Sequence, residues 1–240
     1  MDSARSGDPV EGHTLRVVDQ ALADLRLRTL TLGSLVIDQV SAASNSLLRA
    51  DHSLADKVLA RGPRVNELAR DIDHRAFETV ALRQLVAGDL RLARAISRIV
   101  VDLQRAGDEC KKLARIGVRL HAVPSPEPLV AVATLLQHMG NIAGAMLRNA
   151  LRGLDEAAIE LAESVIAQDR DLDDEVSSTL RLLVTRVMAG TPRVGAIVDT
   201  VFAAKCLERI GGHAKNMAEQ VEYFLIGDPP AHAHLSPDLW

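Results

Sequence analysis

The segment LQRAGDECKKLA, Leu103–Ala114, returns 104 residues later as LERIGGHAKNMA, Leu207–Ala218, with Leu, Arg, Gly, Lys and Ala in matching places. RDID at Arg70–Asp73 is answered by RDLD at Arg170–Asp173, in the same order and at nearly the same offset. Two such echoes indicate a tandem duplication. Acidic, basic and glycine positions repeat along with core Leu and Ala. Something chemical was duplicated with the fold.

Around the first copy, Leu92, Ile96, Ile99, Leu103, Ala106, Cys110 and Leu113 alternate by four and three. That spacing is the seam of helices packed near-parallel. Working outward, the same period predicts five more helices. The first runs over Thr14–Ala50, with Val18, Leu22, Leu25, Leu32, Val36 and Val40 on one stripe. Asp51–Ser53 then reads as a turn and N-cap. The second helix continues to Val86, with a kink or break expected at Gly62–Pro63, and Asp89 is placed to cap the third. Helices over Leu129–Arg152, Asp155–Met188 and Pro192–Ile226 follow, punctuated by Gly153 and by Gly190–Pro192. Alternation of period two is absent, so no strand is expected. The predicted fold is all-α: two tandem three-helix bundles, six long antiparallel helices in all. The division is a disordered start over 1–13, bundles over 14–121 and 129–227, a proline-rich linker over 122–128 and a flexible tail over 228–240.

Hydrophobic residues make up 48% of the chain and aromatics 2%, so the core must be built from Leu, Val, Ile and Ala. A net charge of −4 with five aromatic residues offers neither the basic surface nor the stacking platform of a nucleic-acid binder. Cys110 and Cys206 have no CxxC spacing and read as apolar core residues in a reducing compartment. The polar N-terminus has no signal-peptide pattern, and no apolar run is read as approaching the roughly 20 residues that span a bilayer. A soluble, cytoplasmic protein is expected.

Asp169 and Asp173 lie one helical turn apart and present adjacent carboxylates. Like charges at that spacing repel unless solvent or a cation neutralises them, and a multivalent cation takes oxygen ligands of this kind. In the third helix of each half, Gln104 with Asp108 and Glu208 with Gly212 hold matching positions ahead of Lys111 and Lys215.

At these residues the chain resembles the PhoU family, the phosphate-specific transport system accessory proteins. The resemblance runs from about Leu15 to Gly227 and is densest in LERIGGHAKNMAEQVEYFLIG, Leu207–Gly227, and in Asp89–Arg115. It implies two three-helix bundles with acidic pairs on two helices of each, holding metal ions. Carried onto this sequence, the metal ligands are Asp73 and Asp108 in the first bundle and Asp169, Asp173 and Glu208 in the second. Three acids of the pattern are missing: Ala69, Gln104 and Gly212 stand in their places. Fewer anionic ligands mean weaker binding of a hard cation. The expectation is a reduced site for an iron-, zinc- or manganese-class ion in the second bundle and a vestigial one in the first. The resemblance also implies a homodimer beneath the inner membrane. It would restrain the phosphate ABC transporter and its sensor histidine kinase, and so the phosphate-starvation regulon, when phosphate is plentiful.

Other candidates carry less. His74 and His213 adjoin the acidic positions and would favour zinc or iron if they turned inward, although adjacent helical residues point about 100° apart. Asp71 and His74 lack the further Glu-x-x-His copies of a di-iron bundle. His232 and His234 read as solvated tail residues, and Arg91, Arg94 and Arg98 as one charged helical face. No phosphate-cradling loop or nucleophile elbow occurs, so no enzyme is expected. A phosphate-independent adaptor of the same fold and a carboxylate-bundle metalloprotein stay open as alternatives.

Overall fold

The computed structural model describes residues 9–83, 85–122, 127–190 and 194–227. Six helices account for nearly all of them: α1 (Pro9–Arg49), α2 (His52–Leu82), α3 (Ala87–His121), α4 (Glu127–Glu156), α5 (Ile159–Met188) and α6 (Val194–Ile226). The all-α reading with a twofold repeat stands. Helices α1, α2 and α3 pack on one another, as do α4, α5 and α6. The two bundles meet through α3 against α6, the most extensive helix pair, and through α1 against α4.

The seam read in the third helix is the core. Ile96, Ile99, Leu103, Ala106, Cys110 and Leu113 are completely buried, and so are Leu207, Ile210, Ala214 and Met217 in α6. All six helices contribute to one continuous apolar cluster. At roughly 25 cal/mol per Å² of apolar surface removed from water, this burial is the main force holding the bundles.

The helices differ from the sequence reading in several places. α1 begins at Pro9, five residues earlier than expected. α2 passes through Gly62–Pro63 without interruption, because Val58, Gly62 and Val65 are all buried on its inner face. It stops at Leu82 rather than Val86, and Asp89 lies inside the first turn of α3 instead of capping it. α4 begins at Glu127 and runs past Gly153 to Glu156. It closes through an Ala158 N–H to Gly153 carbonyl bond of 3.2 Å, with Ala157 left-handed at φ 52°. The expected cap at Asp51 is present: its side chain accepts from the Leu54 N–H at 3.0 Å. His232, His234 and most of the expected linker lie outside the described residues.

One stretch, Val130–Glu156 of α4, is long and apolar enough to cross a membrane by length and composition. The sequence reading set that possibility aside. Here it is a core helix: Val132, Leu136, Met139, Ala143, Met146 and Leu147 are all buried among α1, α5 and α6.

Candidate functional site

Helix α5 carries Asp169 and Asp173 one turn apart, and α6 brings Glu208 opposite them because Leu207 and Ile210 are locked in the core. The three carboxylates line one cleft of about 350 Å³ together with Arg209, Gly212, Lys215 and Glu219. Helix α6 comes this close to α5 because position 211 is glycine; a Cβ there would stand 2.1 Å from Leu172 Cδ2. The second-bundle residues singled out in the sequence are therefore brought together.

Two of these carboxylates already have cationic partners. Lys215 Nζ donates to Asp169 Oδ2 at 2.7 Å, in a pair that is largely shielded from solvent. Lys205 Nζ donates to Glu208 Oε2 at 2.5 Å. The Asp173 carboxyl is held above the ordinary aspartate value by desolvation, then by the Asp169 and Glu208 charges, while Lys215 and Lys205 act in the opposite sense. Lys215 is held above the ordinary lysine value, chiefly by its bond to Asp169. Gly212 brings no donor to the cleft.

The first bundle is different. Asp73 is exposed on α2. Asp108, on α3, is paired with Lys111 of its own helix at 2.6 Å. Gln104 donates from Nε2 to Asn66 Oδ1 at 3.1 Å and so is engaged with an amide. Among the described residues, no three His, Cys, Asp or Glu side chains stand close enough to hold a metal ion. Oxygen donors of the right kind are present in the second bundle, but Asp169 and Glu208 are bound to ammonium groups, and the set as arranged does not fit a resident ion.

The junction between bundles holds polar residues that the sequence reading did not single out. Asp102 of α3 accepts from His213 Nδ1 at 2.9 Å and from Asn216 Nδ2 at 3.2 Å across the interface. Glu109, also buried, takes Lys112 Nζ at 2.7 Å and lies 3.7 Å from Arg209 of α6. The signal was there: both are charges flanking deep seam positions, Leu103 and Cys110. His213 thus faces α3 instead of the carboxylate cleft. His74 stays on the surface of α2, 3.3 Å from Glu78.

Arg91 and Arg94 lie against the end of α6. Arg94 sits 4.3 Å from the Tyr223 ring centre, a cation–π contact, and Arg91 Nε donates to the Phe224 carbonyl at 3.4 Å. Both cysteines are free and buried. Burial, then the neighbouring Glu109 charge, pushes the Cys206 thiol up to about 12, and burial raises Cys110 as well. Neither is poised as a nucleophile.

Comparison with known proteins agrees with this architecture. The PhoU domain model matches twice, over residues 29–117 and 136–221. The chain belongs to the PhoU family. The phosphate-specific transport system accessory protein PhoU homolog of Pseudomonas aeruginosa is 36% identical over 230 residues, 95% of this chain and 93% of that one. The protein of the same description from Caulobacter vibrioides is 32% identical over 216 residues, 90% of this chain and 93% of that one. The crystal structure of PhoU from Pseudomonas aeruginosa superposes with a TM-score of 0.82 at 37% identity, covering 88% of this chain and 99% of that one. PhoU proteins are accessory and regulatory proteins, not enzymes.

Proposed function

We propose that this protein is a cytoplasmic negative regulator of phosphate uptake and of the phosphate-starvation response. The observation that carries this reading is the match along nearly the whole of both chains to relatives described as phosphate-specific transport system accessory proteins. Both bundles are retained in that match. In this role the helical faces dock on the phosphate ABC transporter and on a phosphate-sensing histidine kinase, and the protein works as a homodimer. It binds and restrains; it does not turn over a substrate. The buried, raised thiols and the paired carboxylates are in keeping with a scaffold.

The test is alkaline phosphatase activity in a strain lacking this protein, grown with abundant phosphate. High activity that the intact chain reverses is the expected result. Activity that stays low, in a cell with no second copy, would overturn the reading and leave an adaptor of the same fold. That second reading draws on the ammonium-filled carboxylate cleft, which departs from the metal expected by resemblance.

A further inference from the structure

The lysine repeated at 111 and 215 has two acidic positions within reach in the duplicated plan. One lies three residues before it on its own helix: Asp108 in the first half, Gly212 in the second. The other lies across on the middle helix of the bundle: Ala69 in the first half, Asp169 in the second. Each half has therefore kept one of the two acids, and not the same one. The lysines follow the difference. Lys111 turns back along α3 to Asp108 at 2.6 Å, whereas Lys215 reaches across to Asp169 at 2.7 Å.

From this complementarity we infer that Lys111 and Lys215 are the built-in counter-ions of the two carboxylate faces, standing where the resemblance would put metal ions. An ammonium offers three donors and one positive charge; Lys215 binds Asp169 directly and also feels the charges of Glu219 and Asp173. A multivalent ion needs several anionic oxygens at once, and each lost acid removes one while leaving the lysine its single partner. The packing supports the lysines as well. The Lys111 stem lies over Gly62, where a Cβ would come within 2.7 Å of its Cδ. The Lys215 and Asp169 side chains keep only 26% and 14% of their exposure, so the pair is shielded and worth more than a solvated surface pair. Lys205 meets the third carboxylate, Glu208. The carboxylate faces of this chain are neutralised by internal ammonium groups and do not depend on metal.

The inference is independent of the regulatory role and is tested on purified, tag-free full-length protein. Equilibrium dialysis against Mn²⁺, Zn²⁺ or Fe²⁺ is followed by metal analysis, and melting is recorded with each metal and with chelator. The wild type is expected to retain no stoichiometric ion and to melt at the same temperature throughout. Gly212→Asp combined with Lys215→Met rebuilds an acidic face without the ammonium. It is expected to bind one ion per chain and to melt higher when metal is added. Lys215→Arg keeps the charge and is expected to match the wild type in both readouts. A wild-type chain that retains a stoichiometric ion, lost in Asp169→Ala with Asp173→Ala, would overturn the inference. So would a wild-type melting temperature that rises with metal, a result that holds even if the double variant fails to fold.

Discussion

Asp102 and His213 face each other across the two bundles with 2.9 Å between Oδ1 and Nδ1. The repeat makes this pair half of a symmetric arrangement. Its offset carries Asp102 onto Cys206 and Glu109 onto His213, and Cys206 and Glu109 are also neighbours. The same two positions of the ancestral repeat thus meet twice, once as carboxylate and imidazole, once as thiol and carboxylate. Antiparallel packing of α3 on α6 explains it: Arg91 at the start of α3 meets Phe224, and Arg119 at its end meets Asp199.

Removing Asp102 should loosen this junction. Asp102→Ala strands His213, whose side chain keeps 16% of its exposure, while exposed Asn216 can turn to solvent; the expected cost is about 1–3 kcal/mol by the usual penalty for an unpaired shielded polar group. His213→Ala should cost less alone, since Asn216 still serves Asp102. The double variant should show a coupling of about 0.5–3 kcal/mol in a denaturant-based cycle. Strictly additive losses would mean that the 2.9 Å contact contributes nothing specific.

The repeated glycine of α6 makes a second prediction. A methyl at position 211 would lie 2.1 Å from Leu172 Cδ2 and 3.4 Å from Met146 Sδ. Leu172 is 1% exposed and has little room to retreat. Gly211→Ala gains about 1 kcal/mol of helix propensity but overpacks a filled core at about 1–3 kcal/mol. Net destabilisation is expected, visible as a melting temperature lower by a few degrees for a chain of this size. A variant as stable as the wild type would show that α5 and α6 can separate freely, and the geometry of the carboxylate cleft would then be soft.

The helices were legible because apolar side chains recur with the helical period, and burial of that stripe decides the fold. Local punctuation was a poorer guide. Pro63 and Gly153 read as breaks, yet Val58 and Val65 flank Pro63 on the buried face and Leu154 is fully buried beside Gly153, so packing holds both helices through. The positions of Asp169, Asp173 and Glu208 were legible too, since helical spacing and the repeat place them. Their partners were not. Lys215 to Asp169 spans 46 residues and Asp102 to His213 spans 111. Which polar group meets which at those separations is set by how the helices pack, not by periodicity within either one.

Two helix ends carry strain that a substitution should relieve. Ala50 and Ala157 close α1 and α4 with φ of 56° and 52°, a left-handed conformation that suits glycine better than alanine. Ala157 is exposed, so no packing is lost on removing its methyl. Ala157→Gly should stabilise the protein by about 0.5–1 kcal/mol, the relieved strain less the added freedom of the unfolded chain. Ala122→Gly is the control: that exposed residue ends α3 at φ −66° and should lose stability instead. Equal effects at 122 and 157 would remove the strain argument.

Near the end of α6, Glu222 is held above the ordinary glutamate value by burial, then by the charges of Glu163 on α5 and Glu219 one turn earlier. The folded state therefore binds the Glu222 proton more tightly than the unfolded chain does. In the window just above the ordinary carboxylate range the native state carries more protons, so stability falls as pH rises through it. At neutral pH the charged carboxylate is a standing penalty. Glu222→Gln should remove it, raising the urea midpoint at about pH 7.5 while changing it little at about pH 5, so that the wild-type and variant midpoints converge on acidification. A gap of the same size at both pH values would assign the effect to packing, and a variant less stable at neutral pH would reverse the sign argued from Glu163 and Glu219.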